Sequence, residues 1–347
     1  LTFFCKEYKR KKKRGQAPTV QLTPDQEDDA QLEEPNTPEE EVLAEGVEAD
    51  AAEAEAAIPL AQLVQDEQHT STVKKQAIAE MAARGVRISA EQEKQALTIM
   101  PKAAGLARRV RDAPSTLQNL FDRIVKNTPG ISSDRHTLSR KVPTRWNSEA
   151  RCLDDHIELR PAVEKLILES HPSLNAYRMT HIQWGLAGEL NDLLGIFVPI
   201  TEYFSRKEEA FVADVLEQLE RVRRALILVR DSQSTSSSNV VRVAAHAGII
   251  TTDKYLKLLN ESEVYQIAIV LSPDRKLQWF KTRGYSDSDV QAIRDRAFKR
   301  WKESYLPRYP SAPTSDASGA NTRSRPTLMT ETDFVSPLLL LYRAQLA

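Results

Sequence analysis

The chain has 347 residues and a formal net charge of −1, and this near-neutral balance indicates no particular class of partner. Its only cysteines, Cys5 and Cys152, exclude a disulfide framework or a cysteine-rich zinc site, as is typical of a reducing intracellular compartment. No apolar run approaches the ~20 residues that a membrane span needs, so we expect no membrane partner.

The N-terminal region separates its charges into two blocks. Basic residues crowd between Lys6 and Arg14, whereas residues 15–73 contain no Lys or Arg and are dense in Asp and Glu. Residues 15–58 are also poor in aromatic side chains and cannot bury enough apolar surface to offset the loss of chain entropy. We therefore predict a basic start and an acidic disordered segment over residues 1–75, with DNA mimicry or binding of a basic partner as the alternative role of the acids.

The basic block is a candidate nuclear-localisation signal, and on this basis we predict a nuclear protein. Its residues are Lys9, Arg10, Lys11, Lys12, Lys13 and Arg14. The alternative is a solvated helix end that binds nothing measurable.

Residues 76–310 carry a helical hydrophobic pattern nearly throughout, without a convincing period-two strand. The predicted helical segments are 91–112, 117–124, 147–167, 181–203, 211–229, 239–260, 263–271 and 286–305. Pro161 and Pro199 should split or bend two of them, and Asn147 can cap the helix that it begins. The predicted fold class is a mostly α multi-helix bundle. Residues 311–347 are expected to form a disordered or loosely ordered tail, because their first part is rich in Ser, Ala and Pro.

The most informative motif is Thr-Arg-Trp-Asn-Ser at residues 144–148, a rare combination at a helix start. It resembles a signature of hAT-superfamily DNA transposases, and residues 107–116 look like the segment that precedes this signature in fungal members. Residues 262–280 are similar to the family block Val-Tyr-x-Ile-Ala-x-x-Leu-Asp-Pro, although Ser272 stands where the family usually has Asp. The resemblance covers about residues 100–306.

This resemblance implies that the chain corresponds to the helical insertion domain within the RNase H-like core of a hAT transposase. In the family, three acidic residues supplied from both sides of the insertion bind two metal ions for strand transfer. We expect those acids, the zinc-binding DNA module and the dimerisation segment to lie outside this chain. We therefore assign no catalytic residue, metal ligand or cofactor. A divalent metal such as Mg²⁺ is expected only for full-length family members, and self-association stays undecided.

DNA is the partner that the resemblance implies. The family's Arg-Trp pair lies near the transposon end, so Trp146 is the candidate platform for a stacked base and Arg145 the candidate phosphate contact. The alternative is that Trp146 packs beneath its own helix while Arg145 faces solvent. Arg108 and Arg109 fall within one helical turn and could track phosphates, with a solvated helix face as the alternative.

Other chemistry-bearing residues are expected to have structural roles. Asp154, Asp155 and His156 look like metal ligands, but helix neighbours point about 100° apart, so we predict no metal site there. Four further residues are expected to be buried in the core: Trp184, Trp279, Trp301 and His246.

The sequence therefore favours a transposon-derived, hAT-transposase-like helical protein that lacks strand-transfer activity and retains DNA binding. One alternative is a helical protein–protein interaction scaffold without a nucleic-acid role. Another is part of a longer, active transposase. The sequence contains no Gly-rich phosphate loop and no Ser-His-Asp order, so we expect no small-molecule substrate.

Overall fold

The computed structural model describes most of the chain between residues 38 and 304. The described residues are 38–112, 115–131, 135–142, 146–170, 173–206, 212–232 and 237–304. They are mostly helical, and no strand occurs among these residues. The predicted mostly α-helical class is thereby confirmed.

The α-helices, in chain order, are α1 (Pro38–Ala57), α2 (Leu60–Ala83), α3 (Ala90–Asp112), α4 (Ser115–Asn127), α5 (Trp146–Glu158), α6 (Arg160–Glu169), α7 (His181–Gly195), α8 (Val198–Phe204), α9 (Val215–Arg230), α10 (Asn239–Glu261), α11 (Glu263–Leu271), α12 (Gln278–Thr282) and α13 (Asp287–Ser304). Two 3₁₀ turns, Asn175–Tyr177 and Val212–Asp214, precede α7 and α9.

The chain divides into two compact units. Unit 1 comprises the residues up to Leu194 together with Ser232–Ala247. Unit 2 comprises Gly195–Asp231 together with the residues from Gly248 onward. Helices α1 to α6 therefore belong to unit 1, and α8, α9 and α11 to α13 belong to unit 2, while α10 contributes to both.

Helix α3 is central to unit 1. It contacts α1, α4, α5 and the 3₁₀ turn Asn175–Tyr177. Its buried residues include Ile99, Met100 and Leu106. Gly105 allows the close approach of this 3₁₀ turn, because a Cβ at this position would lie 2.5 Å from the ring of Tyr177.

The core of unit 2 forms around aromatic side chains of α12. Trp279 and Phe280 are buried and meet edge to face, with ring centroids 5.1 Å apart. They pack with Ile269 of α11 and with Val290 and Ile293 of α13. Helix α11 contacts both α13 and the 3₁₀ turn before α9, so this core joins elements from well-separated parts of the sequence.

Two prolines divide helices at the predicted places. The pattern over 147–167 is split between α5 and α6, and Pro161 lies in the first turn of α6. The pattern over 181–203 is likewise divided between α7 and α8, with Pro199 in the first turn of α8. A proline fits a first turn because its missing N–H has no intrahelical acceptor there.

The predicted N-cap of α5 is wrong. The helix begins at Trp146, so Asn147 lies inside its first turn. Ser148 instead bonds to the preceding segment. Its hydroxyl accepts a 2.7 Å hydrogen bond from the Val142 N–H and donates one of 3.0 Å to the Val142 carbonyl. These two bonds tie the first turn of α5 to the segment that precedes it.

The expectation of disorder over 1–75 is wrong for the described residues from 38 onward, which lie mainly in α1 and α2. Composition did not predict this order because α1 is stabilised by tertiary contacts. Leu43 and Ala44 are buried, and α1 packs on α3. Residues 1–37 of the predicted acidic segment and the predicted tail at 311–347 lie outside the described residues.

Three of the four predicted core residues are buried. Trp184 and Trp279 are each 5% exposed, and His246 is 4% exposed with Nε2 2.7 Å from a carboxylate oxygen of Glu80. The prediction for Trp301 is wrong, because its side chain is 47% exposed near the end of α13. Apolar spacing on a terminal helix did not distinguish a core face from an exposed one.

Candidate nucleic-acid interface

The segment 135–142, which precedes α5, is held against that helix by side-chain contacts. Asp155 of α5 accepts a 2.8 Å hydrogen bond from the backbone N–H of Ser139. At the other end of the segment, Ser148 bonds to both backbone groups of Val142. The backbone is thus fixed on both sides of the two basic residues that lie between these anchors.

Those two residues, Arg140 and Lys141, face acidic side chains of α1. Arg140 Nη2 donates a 2.8 Å hydrogen bond to Glu53. Lys141 Nζ lies 3.5 Å from a carboxylate oxygen of Asp50 and 3.2 Å from one of Glu149. The segment therefore presents two cations to the acidic helix.

Arg108 of α3 is a third cation in the same group. Its guanidinium pairs with Asp50 and donates a 2.8 Å hydrogen bond to the Gly46 carbonyl of α1. Burial lowers the pKa of Arg108, and the nearby charge of Arg140 acts in the same direction. Arg108 thus contacts the chain's own acidic helix, whereas the neighbouring predicted residue, Arg109, is exposed.

The remaining predicted contacts are only partly described. Arg145 lies outside the described residues, as does the predicted nuclear-localisation signal at 9–14. Trp146 is the first residue of α5, and its side chain is not described. Trp146 stands four positions after Val142, the last described residue of the segment 135–142.

Two lysines near this surface differ in their surroundings. Lys94 is exposed and lies 3.6 Å from Glu40 of α1. Lys102 donates hydrogen bonds of 2.7 Å to the Arg178 carbonyl and 3.0 Å to the Gln183 side chain, and burial lowers its pKa. Lys102 therefore has a structural role, while Lys94 adds charge at the edge of the surface that α1 covers.

Sequence reasoning missed Arg140 and Lys141, although a signal existed. Both residues stand shortly before the Thr-Arg-Trp-Asn-Ser motif, whose Arg145 and Trp146 were predicted to contact DNA. Their pairing with α1 had no sequence signal, because Arg140 and Glu53 are 87 positions apart. We call Arg108, Arg140 and Lys141 the basic cluster.

Asp154 and Asp155 converge on a guanidinium group. Arg135 Nη1 lies 2.6 Å from Asp154 and 3.0 Å from Asp155. His156 contacts a different group: its Nδ1 lies 2.8 Å from the Cys152 carbonyl, and burial lowers the pKa of His156 to about 4. Within the described ranges, no three His, Cys, Asp or Glu side chains are grouped as metal ligands.

A further group of acids lies on and near α7. Burial raises the pKa of Asp192 to about 6, and the charges of Glu189 and Asp154 act in the same direction. Burial also raises the pKa of Glu189, which accepts a 2.7 Å hydrogen bond from the Ser238 N–H. Because carboxylates repel phosphate, the basic cluster is the better candidate for an anion-binding surface.

Comparison with known proteins identifies no relative. No family model matches the chain, and no curated protein or solved structure matches it significantly. The resemblance to hAT transposases therefore rests on the sequence motifs. Among the helices that the structure describes, none is long and apolar enough to cross a membrane.

Proposed function

We propose that this chain is a hAT-transposase-like helical protein that binds DNA through the basic cluster of unit 1 and does not itself catalyse strand transfer. The observation that carries the proposal is the grouping of Arg108 of α3 with Arg140 and Lys141, which stand a few positions before Trp146 in the sequence. Cations from two separate parts of the chain converge there. This arrangement suits phosphate binding, which needs several positive charges on one surface.

The proposed division of labour places phosphate contacts on the basic cluster and base stacking on Trp146. Phosphate contacts supply affinity that depends on salt but not on base sequence. Stacking of an unpaired base on an aromatic ring contributes about 1–3 kcal/mol. DNA with a hairpin or a frayed end is therefore the expected preferred ligand.

The test is fluorescence anisotropy of the full chain with a labelled hairpin-ended duplex over a series of NaCl concentrations. Arg140→Ala should lower the slope of log affinity against log salt by roughly 0.9. Lys257→Ala, which removes an exposed cation from unit 2, is the matched control and should leave the slope unchanged.

Trp146→Ala separates stacking from charge in the same assay. It should weaken hairpin binding without changing the salt slope, while circular dichroism confirms that the helices are retained. Absence of salt-dependent binding, or equal slopes for Arg140→Ala and Lys257→Ala, would contradict the proposed function.

We further propose that Lys9–Arg14 directs the protein to the nucleus. Replacing its six basic residues with Ala in a fluorescent fusion should abolish nuclear accumulation. Unchanged accumulation would overturn this assignment and leave the DNA-binding proposal standing.

An exposed aromatic pair on α13 favours a protein–protein interaction scaffold as the second candidate function. Phe298 and Trp301 are 54% and 47% exposed, and their rings stack with centroids 5.8 Å apart. Lys302 lies over the Phe298 ring at 4.6 Å. Exposed aromatic side chains of this kind are enriched at protein interfaces. If the chain is a scaffold, Trp301→Ala should abolish cross-linking to a protein partner. Arg140→Ala should leave this cross-linking unchanged.

A further inference from the structure

The acidic helix α1 lies over the basic cluster. Asp50 contacts both Arg108 and Lys141, and Glu53 accepts a hydrogen bond from Arg140. Each member of the basic cluster thus has a carboxylate of α1 as a partner. Helix α1 contains no Lys or Arg, so all its charged side chains are negative.

The residues of α1 that contact the basic cluster share one face of the helix with Glu39 and Leu43. Glu39, Leu43, Gly46, Asp50 and Glu53 recur at spacings of three and four, within about 40° of one line along the helix. Glu39 accepts a hydrogen bond from Asn175, and the Gly46 carbonyl accepts one from Arg108. The face therefore aligns oxygen acceptors over roughly 20 Å of helix, at 1.5 Å per residue.

The opposite face of α1 carries carboxylates that do not contact the basic cluster. Glu45 and Glu55 are exposed and lie more than about 100° away from the contacting face. The helix thus offers two sets of acids with the same charge and different surroundings. This difference allows the effect of contact to be separated from that of net charge.

Few apolar groups hold α1 in place. Its buried residues are Leu43, Ala44 and Asp50. The Arg140–Glu53 and Lys94–Glu40 pairs have substantially exposed members and are open to screening by salt. A competing polyanion can supply the same type of contact to the basic cluster. The ion pairs between α1 and the basic cluster are therefore contacts of a kind that a phosphate backbone can replace.

We infer that α1 is an autoinhibitory polyanion mimic, which occupies the basic cluster and must be displaced before DNA binds there. This inference rests on the proposed DNA-binding function and adds its regulation. It makes DNA affinity depend on acidic residues that do not contact DNA. For a mimic, the dependence is stronger at the acids that contact the basic cluster than at the exposed acids, whereas for an inert linker it follows net charge alone.

The experiment compares four full-length proteins by anisotropy with the same hairpin-ended duplex: wild type, Asp50→Asn/Glu53→Gln, Glu45→Gln/Glu55→Gln and Leu43→Ala. The first double variant removes two contacting charges and should lower Kd roughly five- to tenfold. The second removes two exposed charges and should change Kd by about twofold or less. Leu43→Ala weakens the docking of α1 without changing net charge and should also lower Kd.

Hydrogen exchange of residues 38–57 supplies a readout that is independent of affinity. Addition of DNA to wild-type protein should accelerate exchange in α1, while exchange in α3 and α5 stays slow. Asp50→Asn/Glu53→Gln should show fast exchange in α1 even without DNA.

The outcomes separate the two claims. Equal affinity of all four proteins, with α1 exchange unaffected by DNA, overturns autoinhibition and leaves DNA binding intact. If only Asp50→Asn/Glu53→Gln and Leu43→Ala bind DNA, α1 inhibits the wild-type protein completely. If Kd falls as much for Glu45→Gln/Glu55→Gln as for Asp50→Asn/Glu53→Gln, net charge accounts for the effect and the proposed mimicry is overturned. Failure of all four proteins to bind overturns the proposed function and the inference that rests on it.

Discussion

Gly105 shows how one missing side chain sets the distance between two elements. It is buried on α3, where a Cβ would lie 2.5 Å from Cε1 and 3.2 Å from Cδ1 of Tyr177. Tyr177 is itself buried, so its ring has little room to move. Only a glycine permits the 3₁₀ turn Asn175–Tyr177 to pack this closely on α3.

Gly105→Ala should therefore destabilise unit 1. The overpacking cost of about 1–3 kcal/mol exceeds the ~0.5–1 kcal/mol that Ala gains over Gly inside a helix. We expect a net loss of about 1 kcal/mol in the free energy of unfolding, measured by urea denaturation. Gly188→Ala on α7 is the control, because a Cβ there meets no atom within 4 Å and should stabilise the protein. Stabilisation by both substitutions would contradict the packing argument.

A second single residue, Asp192, makes the free energy of unfolding depend on pH. Its pKa is raised from 3.8 to about 6 by burial and by the charges of Glu189 and Asp154. As pH falls through about 6, the folded state binds a proton that the unfolded state binds only near 3.8, so the folded state gains stability. Above pH 6 the carboxylate is charged in both states, and its unfavourable surroundings destabilise the folded one.

Asp192→Asn should consequently stabilise the protein by about 1 kcal/mol at pH 7.5, a value reduced for solvent screening at this half-buried site. The advantage should shrink between pH 6 and pH 4 and vanish below pH 4. Urea unfolding across this pH range measures the difference. Asp66→Asn, at an exposed position on α2, is the control and should change the free energy of unfolding by less than about 0.5 kcal/mol.

At the scale of elements, a buried ion pair joins the 3₁₀ turn Val212–Asp214 to the chain before α12. Arg275 donates to the Ala213 carbonyl and pairs with Asp214, and both charged side chains are almost fully buried. Tyr203 of α8 donates a 2.7 Å hydrogen bond to the other oxygen of Asp214. One carboxylate thus links three elements of unit 2.

Arg275→Met should remove about 3–5 kcal/mol of stability, because it leaves the buried charge of Asp214 without its partner. The double variant Arg275→Met/Asp214→Asn removes the charge as well and should lose less. Thermal unfolding followed by circular dichroism compares the three proteins. A double variant that is less stable than the single one would show that the cost does not come from the unpaired carboxylate.

Elements differ in how well local sequence predicted them. Helix α11 covers the predicted segment 263–271, and α3 begins one residue before its predicted start, because both have continuous apolar spacing. Helix α1 was predicted as disordered, since its acids and alanines carry little apolar signal. Its order depends on Leu43, Ala44 and Asp50 meeting α3 and its surroundings. Contacts between distant parts of the chain are not visible in a local pattern.

At the scale of the whole molecule, the chain builds two compact units and crosses between them within α7, between α9 and α10, and within α10. Each unit has its own buried residues, such as Leu106 in unit 1 and Phe280 in unit 2. Separate cores allow a substitution in one unit to change local stability there without an equal change in the other.

Hydrogen exchange tests this separation. Gly105→Ala should accelerate exchange most in α3 and α5 of unit 1, and Arg275→Met should do so most in α11 to α13 of unit 2. The helix α10, which contributes to both units, should respond to each variant in the corresponding part. Equal acceleration throughout the chain for either substitution would show a single cooperative unit instead.

The sequence alone determined the helical class, most helix positions and the prolines that divide two helices, because these depend on periodicity and backbone sterics over a few residues. It also supplied the transposase-like motif and therefore the proposed partner. Only the tertiary structure decided that Arg108 faces Asp50, that Asp154 and Asp155 share Arg135, and that Trp301 is exposed. These results depend on contacts between residues distant in sequence, whose energies no local pattern contains.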